Sequence, residues 1–287
     1  MSTYKKGIGL AFAGVVLLSF DSLMIRLSGV GGIEAAFWRG FFGFFSMLIL
    51  FLGTEKKKSL LVLVSGGKPL IISGFFWGIS GIFLTLGVQG PGVGQTLVML
   101  SLSPLFGSLY AFLVYKEKPG IATILAAIGS ILGITYMFHR EFGNVDIGGL
   151  LITLGTPLCM GINLAYLRKH DGVNRVGVSM AGSFFGAIIA LILGMGKVAV
   201  PLSALLPLLA VGIIIVPFAQ VLISMGARYI SGAESALITS LETVFGILYV
   251  WIFLGEIPHK DILTGGAFVL LCITANTLYH ARKEGAR

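Results

Sequence analysis

Charged side chains are scarce in this sequence. Asp, Glu, Lys and Arg together make up 11% of the 287 residues, whereas hydrophobic residues make up 56%, and the mean hydropathy is +0.98. Soluble domains of ordinary composition carry about 25% charged residues, which they need to cover a water-facing surface. The composition therefore excludes a water-soluble globular fold and predicts a membrane protein.

The sequence also lacks the motifs of cofactor and metal sites. It has two cysteines, Cys159 and Cys272, and both lie in apolar segments without a partner at metal or redox spacing. It contains no Walker A sequence, no HExxH motif, no dinucleotide fingerprint and no nucleophile elbow. We therefore expect no cofactor, no metal ion and no ATP-driven step. The net charge of +8 does not indicate a nucleic-acid partner, because the positive residues lie between apolar runs.

Long apolar runs are what the sequence has in abundance. A helix needs about 20 apolar residues to cross the hydrocarbon core of a bilayer. The runs are continuous rather than alternating, so they predict helices and not the strands of a barrel. Ten segments qualify, at about 7–27, 34–53, 69–89, 92–115, 120–138, 148–168, 174–195, 205–228, 232–254 and 261–281.

The distribution of Lys and Arg predicts the orientation. If the N-terminus lies in the cytoplasm, 15 of the 20 basic residues fall on the cytoplasmic side and Arg39 falls within a span. The outer side then holds only Arg26, Arg140, Lys197 and Lys260. Because cytoplasmic loops are enriched in Lys and Arg, we expect both termini in the cytoplasm. The expected location is the inner or plasma membrane of the cell.

A stretch of the chain occurs twice, once in each half, at a constant offset in the numbering. Between the pairs Gln95/Glu234 and Pro119/Pro258, 8 of 25 positions are identical, among them Glu117/Glu256. Five helices per half is an odd number, so the second half enters the membrane upside down relative to the first. The sequence predicts an all-α membrane protein of ten transmembrane helices in two inverted-topology five-helix repeats, at 1–141 and 142–287.

These motifs resemble the drug/metabolite transporter superfamily, in its ten-helix type with two EamA-like halves. The resemblance is carried by LSLSPLF at 100–106 with EKP at 117–119, and by SLETVF at 240–245 with LGE at 254–256. The WRGF sequence at 38–41 is similar to the family's aromatic-flanked arginine.

The resemblance implies a secondary transporter of small metabolites. One position departs from the family pattern: Thr243 stands where a proline usually follows the second-half "LE", whereas Pro104 is present in the first half. We therefore expect Pro104 to bend the fourth helix, without an equivalent bend at Thr243.

Glu242 is the foremost candidate site residue. It lies ten residues after Gly232, about 15 Å into a core about 30 Å thick. A charge at that depth costs at least about 2.5 kcal/mol, and no basic residue lies within several turns in the sequence. Glu242 is either a protonated packing residue or a carboxyl group that binds a cationic substrate group or exchanges a proton with it.

Asp21 and Arg39 are expected at similar depth in the outer third of the bilayer. One interpretation is a mutual ion pair, in which each side chain offsets the desolvation of the other. The alternative is an outward-facing vestibule in which Arg39 attracts a carboxylate or phosphate.

Four further side chains fall near the midplane of the predicted bilayer. They are Trp77, Ser101, Asn163 and Gln220. Aromatic and amide groups suit a cavity for small organic solutes, but each residue alone is also compatible with helix packing. The glycine pairs Gly74/Gly78, Gly129/Gly133 and Gly182/Gly186 have the spacing of close helix contacts, and we expect them to belong to the scaffold.

The sequence thus favours a transporter of amino-acid-like or amine solutes, working as exporter or exchanger by alternating access, with a proton as candidate coupling ion at Glu242. The expected partners are a small-molecule substrate and the bilayer, and the protein is a monomer or a homodimer. A sugar-phosphate or nucleotide-type exchanger is the alternative, although it would need several basic residues in the cavity. A membrane-embedded enzyme is the remote alternative.

Overall fold

The described part of the chain folds almost entirely into helices. The computed structural model describes residues 3–56, 59–137, 146–170, 172–230 and 232–285, and these residues form no strand. The first seven helices are α1 (Thr3–Leu18), α2 (Phe20–Ser28), α3 (Gly32–Glu55), α4 (Ser59–Gln89), α5 (Val93–Leu100), α6 (Ser103–Tyr115) and α7 (Ile121–Met137). The others are α8 (Ile147–Lys169), α9 (Arg175–Leu193), α10 (Leu202–Leu209), α11 (Val216–Gly226), α12 (Gly232–Leu254) and α13 (Lys260–Gly285), with a π-helical segment, Ala210–Ile215, between α10 and α11.

These helices make up the ten predicted spans. Eight stretches of the described residues are long and apolar enough to cross a membrane, and two shorter apolar helical stretches cover Ile121–Met137 and Ile238–Leu254. The first span consists of α1 and α2, the fourth of α5 and α6, and the eighth of α10, the π-helical segment and α11. The predicted fold class is confirmed: the protein is an all-α, multi-pass membrane protein with two repeats.

Some predictions fall outside the described residues. These are the last residue of the fifth span, Phe138, the basic residues Lys57, Lys58, Arg140 and Arg287, and the repeat boundary at 141–142. That boundary stays a prediction.

Prolines interrupt two of the spans, and a hydroxyl group compensates each lost hydrogen bond. Proline has no N–H to donate to the carbonyl four residues earlier. Before Pro104, the Leu100 carbonyl accepts instead from Ser103 Oγ at 2.5 Å, and the helix breaks between α5 and α6. Before Pro217, the Ile213 carbonyl accepts from Ser46 Oγ at 3.2 Å, at the point where the π-helical segment passes into α11. The interruption lies where Pro104 is expected to act on the fourth span.

The packing of the helices repeats between the two halves. Helix α1, in the first span of the first half, lies along α11, in the third span of the second half. In the same way α8, the first span of the second half, lies along α4, the third span of the first half. The second spans of the two halves, α3 and α9, lie against each other, as do the fifth spans, α7 and α13. This arrangement is what a twofold axis between inverted repeats would produce.

Small residues allow the closest of these contacts. A Cβ atom added to Gly78 of α4 would lie 2.5 Å from the Gly182 carbonyl oxygen of α9, and one added to Gly133 of α7 would lie 3.0 Å from the Gly265 carbonyl oxygen of α13. The predicted glycine pairs therefore belong to helix interfaces. The outside of the bundle carries exposed apolar side chains such as Ile49 and Ile121, which suit a surface that faces lipid.

Candidate functional site

An ion pair between Asp21 and Arg39 is buried inside the helix bundle. Arg39 of α3 donates from Nη2 to Asp21 Oδ2 at 2.6 Å and from Nε to Asp21 Oδ1 at 3.1 Å, so the contact is bidentate. Asp21 of α2 is only 2% exposed. A buried pair of this geometry offsets the desolvation of both charges. The ion-pair interpretation of these two residues therefore describes the structure.

The side chains next to Asp21 hold α2 in place. Phe20 and Met24, one residue before and three residues after Asp21, pack against two separate apolar clusters. One cluster includes Leu23 and Val250, and the other includes Met47. The carboxylate of Asp21 is therefore fixed at the junction of the two parts of the core.

Arg39 also borders a cavity between α3, α4 and α9. Water-sized molecules can occupy about 20 Å³ of this cavity, and Arg39, Trp77 and Ser183 line it together with several glycines. A Cβ atom added to Gly81 would lie 3.0 Å from Arg39 Nη1, so the missing side chain at Gly81 leaves room for this end of the guanidinium. Among the described residues Nη1 has no hydrogen-bond partner, and it remains available to a ligand in the cavity.

Glu242 occupies the central turns of α12, as the sequence predicts. Its carboxylate forms no hydrogen bond or ion pair with another described residue. The charges of Asp21 and Arg39 nevertheless act on it. No basic residue lies near Glu242 along the sequence, but the fold brings the Asp21–Arg39 pair near it, because α2 packs against α12.

The three groups together have an uneven charge balance. Arg39 supplies one positive charge, and Asp21 already engages two of its nitrogen atoms. Glu242 remains as a second carboxyl group without a cation of its own. Such a cluster can bind a cationic group at Glu242 and an anionic group at the free edge of Arg39, or it can hold a proton at Glu242.

The structure does not bring the other predicted residues to this cluster. Ser101 Oγ donates to the Val98 carbonyl of its own helix at 2.6 Å. Asn163 of α8 accepts a hydrogen bond from Ser73 of α4, and its Nδ2 atom is buried without a partner among the described residues. Gln220 is half-buried on α11 and forms no hydrogen bond with another described residue. Of these four residues, only Trp77 shares the cavity with Arg39.

The repeats explain the position of Asn163. Asn163 follows Asp21 by the same number of residues by which Arg168 follows Arg26, so each pair occupies matching places in the first spans of the two halves. The first half therefore holds a charged aspartate where the second half holds a neutral asparagine. The charged centre is built from one copy of this position only.

Sequence reasoning missed two ion pairs near the ends of the spans. Arg26 Nε lies 2.8 Å from Glu256 Oε1. Glu117 pairs with Arg168 and, at 2.6 Å from Oε1, with Lys169 Nζ. The hydrogen bond from Lys169 and the positive charge of Arg168 lower the pKa of Glu117. The only sequence signal for these pairs is the repeat spacing, since the partners lie far apart along the chain.

Known proteins resemble most of the chain. A model of the EamA-like transporter family matches residues 5–138 and again residues 147–278. An uncharacterized transporter of Bacillus subtilis (strain 168), YoaV, is 23% identical over 247 residues, which cover 83% of this chain and 84% of the relative. Another from the same organism, YdfC, is 21% identical over 270 residues, covering 91% and 87%. A crystal structure at 16% identity shares the fold with a TM-score of 0.66, covering 96% of this chain and 97% of the other.

Proposed function

The chain belongs to the EamA-like transporter family, and on that premise we propose that it moves an amino-acid-like or amine solute through a site formed by Asp21, Arg39, Glu242 and Trp77. Transport is by alternating access between the two repeats, as exporter or exchanger. The protein lies in the inner or plasma membrane with both termini in the cytoplasm. The observation that carries the proposal is the Glu242 carboxyl group, which has no ion-pair partner among the described residues and lies beside a complete Asp21–Arg39 pair.

The charges of the site favour a substrate with an ammonium group. An unpaired carboxylate inside a membrane is costly, and an ammonium group is a matching partner for it. Arg39 Nη1, which faces the cavity beside Gly81, can bind the carboxylate of a zwitterion. Trp77 lines the same cavity and offers an aromatic face to the ammonium group or to an apolar side chain.

Glu242 can also couple transport to a proton. Binding of a cation and binding of a proton compete for the same carboxyl group, so loading one releases the other. Such competition lets a proton gradient drive a solute in the opposite direction. The Asp21–Arg39 pair keeps its own charges balanced, which leaves Glu242 as the group that changes protonation.

The alternative of a sugar-phosphate or nucleotide-type exchanger has less support. A phosphate group is usually bound by several basic side chains. In the described part of the site only Arg39 is basic, and Asp21 already occupies two of its nitrogen atoms. The remote alternative of an enzyme finds no support in the relatives, which are named as transporters.

Uptake into proteoliposomes tests the proposal. The purified protein would be supplied with a panel of amino acids, amines and nucleotide derivatives, with and without an imposed proton gradient. We expect a zwitterionic or cationic solute to accumulate when the gradient is imposed, and empty liposomes serve as the control. Gradient-independent exchange of such a solute would contradict the coupling role of Glu242, and transport confined to phosphorylated solutes would contradict the substrate class.

A further inference from the structure

Two ion pairs lie at opposite ends of the helix bundle. Arg26 near the end of the first span pairs with Glu256, which follows the ninth span. Arg168 and Lys169 at the end of the sixth span pair with Glu117, which follows the fourth span. Odd-numbered spans run in one direction and even-numbered spans in the other. The first pair therefore lies at one face of the membrane and the second pair at the opposite face.

The two pairs are copies of each other. Glu117 and Glu256 are matched by the duplicated stretch, and Arg26 and Arg168 occupy matching places in α2 and α8. The residues just before the two glutamates also match, because Lys116 and Gly255 both end their helices with a positive φ, of 59° and 68°. Each half thus contributes the arginine of its first span to the glutamate that follows the fourth span of the other half.

The Arg26–Glu256 pair borders a second cavity. Water-sized molecules can occupy about 190 Å³ of this cavity, and Glu256, Ile247 and Val250 line it. Ile247 lies five residues after Glu242 on α12, which is about 8 Å along the helix axis. The cavity therefore extends from the face of the membrane toward the proposed site, and the ion pair lies at its rim.

Arg26 ties three spans together at that face. Its Nη1 donates to the Gln89 carbonyl at the end of α4, at 3.4 Å, while Gln89 Nε2 donates to the Ile25 carbonyl of α2, at 2.5 Å. At the opposite face, Lys169 also lies 5.4 Å from the ring centre of Tyr115 at the end of α6. Each ion pair is thus the centre of a small set of contacts that closes one end of the bundle.

All four principal side chains of these pairs are partly exposed, from 31% to 62%. Exposed ion pairs contribute little net stability, so that they form and break readily. A buried pair such as Asp21–Arg39 lacks this property.

We propose that the Arg26–Glu256 pair and the Glu117–Arg168–Lys169 cluster are the two gates of the transport pathway, opening in alternation. The inference rests on the proposed function, since it assumes that a solute crosses the bundle. In this structure both gates are closed. Breaking one pair favours the conformation that is open at its own face, and consequently disfavours opening at the other.

Labelling of cysteine probes tests this assignment without any substrate. Cys159 and Cys272 would first be replaced by alanine. A probe is then introduced as Val250→Cys at the cavity beside Glu256, or as Ala111→Cys at the matching place in the other half. The protein is placed in nanodiscs, where a polar maleimide reaches both faces.

We expect Glu256→Gln to speed the labelling of Val250→Cys and slow that of Ala111→Cys, each by roughly two- to fivefold, the range set by exposed ion pairs. Glu117→Gln should do the reverse. The swap of Arg26→Glu with Glu256→Arg should restore the original rates. Glu34→Gln removes a carboxylate that forms no ion pair with another described residue, and it should change neither probe.

If a variant changes the labelling rates of both probes in the same direction, the helix bundle has loosened as a whole and the proposal is overturned. Labelling rates that do not change at either probe would overturn it as well. Because labelling needs no substrate, reciprocal labelling together with failed uptake would overturn the proposed substrate alone. Uptake that works without reciprocal labelling would overturn the gates alone.

Discussion

The Asp21–Arg39 pair stabilises the centre of the protein only while both partners are present. Removing one partner leaves a buried charge without compensation, which costs about 3–5 kcal/mol in other proteins. We expect Arg39→Gln to lower the thermal unfolding temperature in detergent markedly, because Asp21 is almost fully buried. The double variant Asp21→Asn with Arg39→Gln should recover much of the loss. Equal unfolding temperatures for the single and double variants would contradict the compensation.

For Glu242 we expect a loss of transport without a loss of stability, because it has no ion-pair partner among the described residues whose charge would be left without compensation. Replacing it with glutamine keeps the shape and removes both the charge and the exchangeable proton. We expect Glu242→Gln to insert and unfold like the original protein but to lose gradient-driven uptake. Glu34→Gln is the control for removing a carboxylate elsewhere. Uptake by Glu242→Gln at the original rate would exclude Glu242 from the transport step.

Individual site residues differ in how far the sequence reveals them. Glu242 stands out because it is a carboxylate in the centre of an apolar run, and Asp21 and Arg39 can be matched by their depth. The approach of Arg39 to Glu242 cannot be read from the sequence, because it depends on how α2, whose Asp21 holds Arg39, packs against α12. The role of Gly81 is also hidden, since its effect is the space that it leaves beside Arg39 Nη1.

At the scale of helices, the contact between α4 and α9 depends on the absence of side chains. A methyl group at Gly78 would lie 2.5 Å from the Gly182 carbonyl oxygen and 2.8 Å from the Gly186 nitrogen. These are backbone atoms, which cannot move away by a side-chain rotation. We expect Gly78→Ala to destabilise the protein by about 1–3 kcal/mol, as overpacking does. Gly53 of α3 has no atom within 4 Å of an added Cβ.

Gly53→Ala is therefore the matched control, and it should be neutral or stabilising by up to about 1 kcal/mol, because alanine favours helix. Thermal unfolding in detergent measures both variants. Similar effects at Gly78 and Gly53 would show that the close approach of α4 and α9 contributes nothing to stability.

The ends of α6 and α8 are held by a contact that depends on pH. The hydrogen bond from Lys169 and the charge of Arg168 lower the pKa of Glu117 from its ordinary value of 4.5. The stability that this ion pair adds to the folded protein is therefore fully present above pH 4.5 and is lost as the pH falls through the lowered pKa of Glu117. We expect a small difference in unfolding temperature between the original protein and Glu117→Gln near neutral pH, which shrinks toward zero below about pH 4. A difference that does not change with pH would contradict the ion pair.

The fourth and ninth spans show how far the sequence predicts an interruption of a helix. Pro104 predicts a disturbed helix, because proline removes a backbone donor, and the structure has an interruption between α5 and α6. Thr243 occupies the matching place in the second half, and α12 continues through it without a break. Its hydroxyl donates to the Leu97 carbonyl of α5 at 3.1 Å, which joins the two related spans beside Glu242. That contact between helices has no signal in the sequence.

At the scale of the whole molecule, the number and duplication of the spans could be predicted, because a bilayer demands apolar runs of nearly fixed length.

The orientation rests on a different signal, the excess of Lys and Arg on one side. We expect a reporter that is active only in the cytoplasm to be active when fused to either terminus, and one that is active only outside the cell to be inactive there. A fusion in the predicted outer loop near Lys197 should give the reverse result. Inactive cytoplasmic reporters at both termini would invert the topology and exchange the sides of the two gates, but the proposed site would stay in place because it lies in the interior of the bundle.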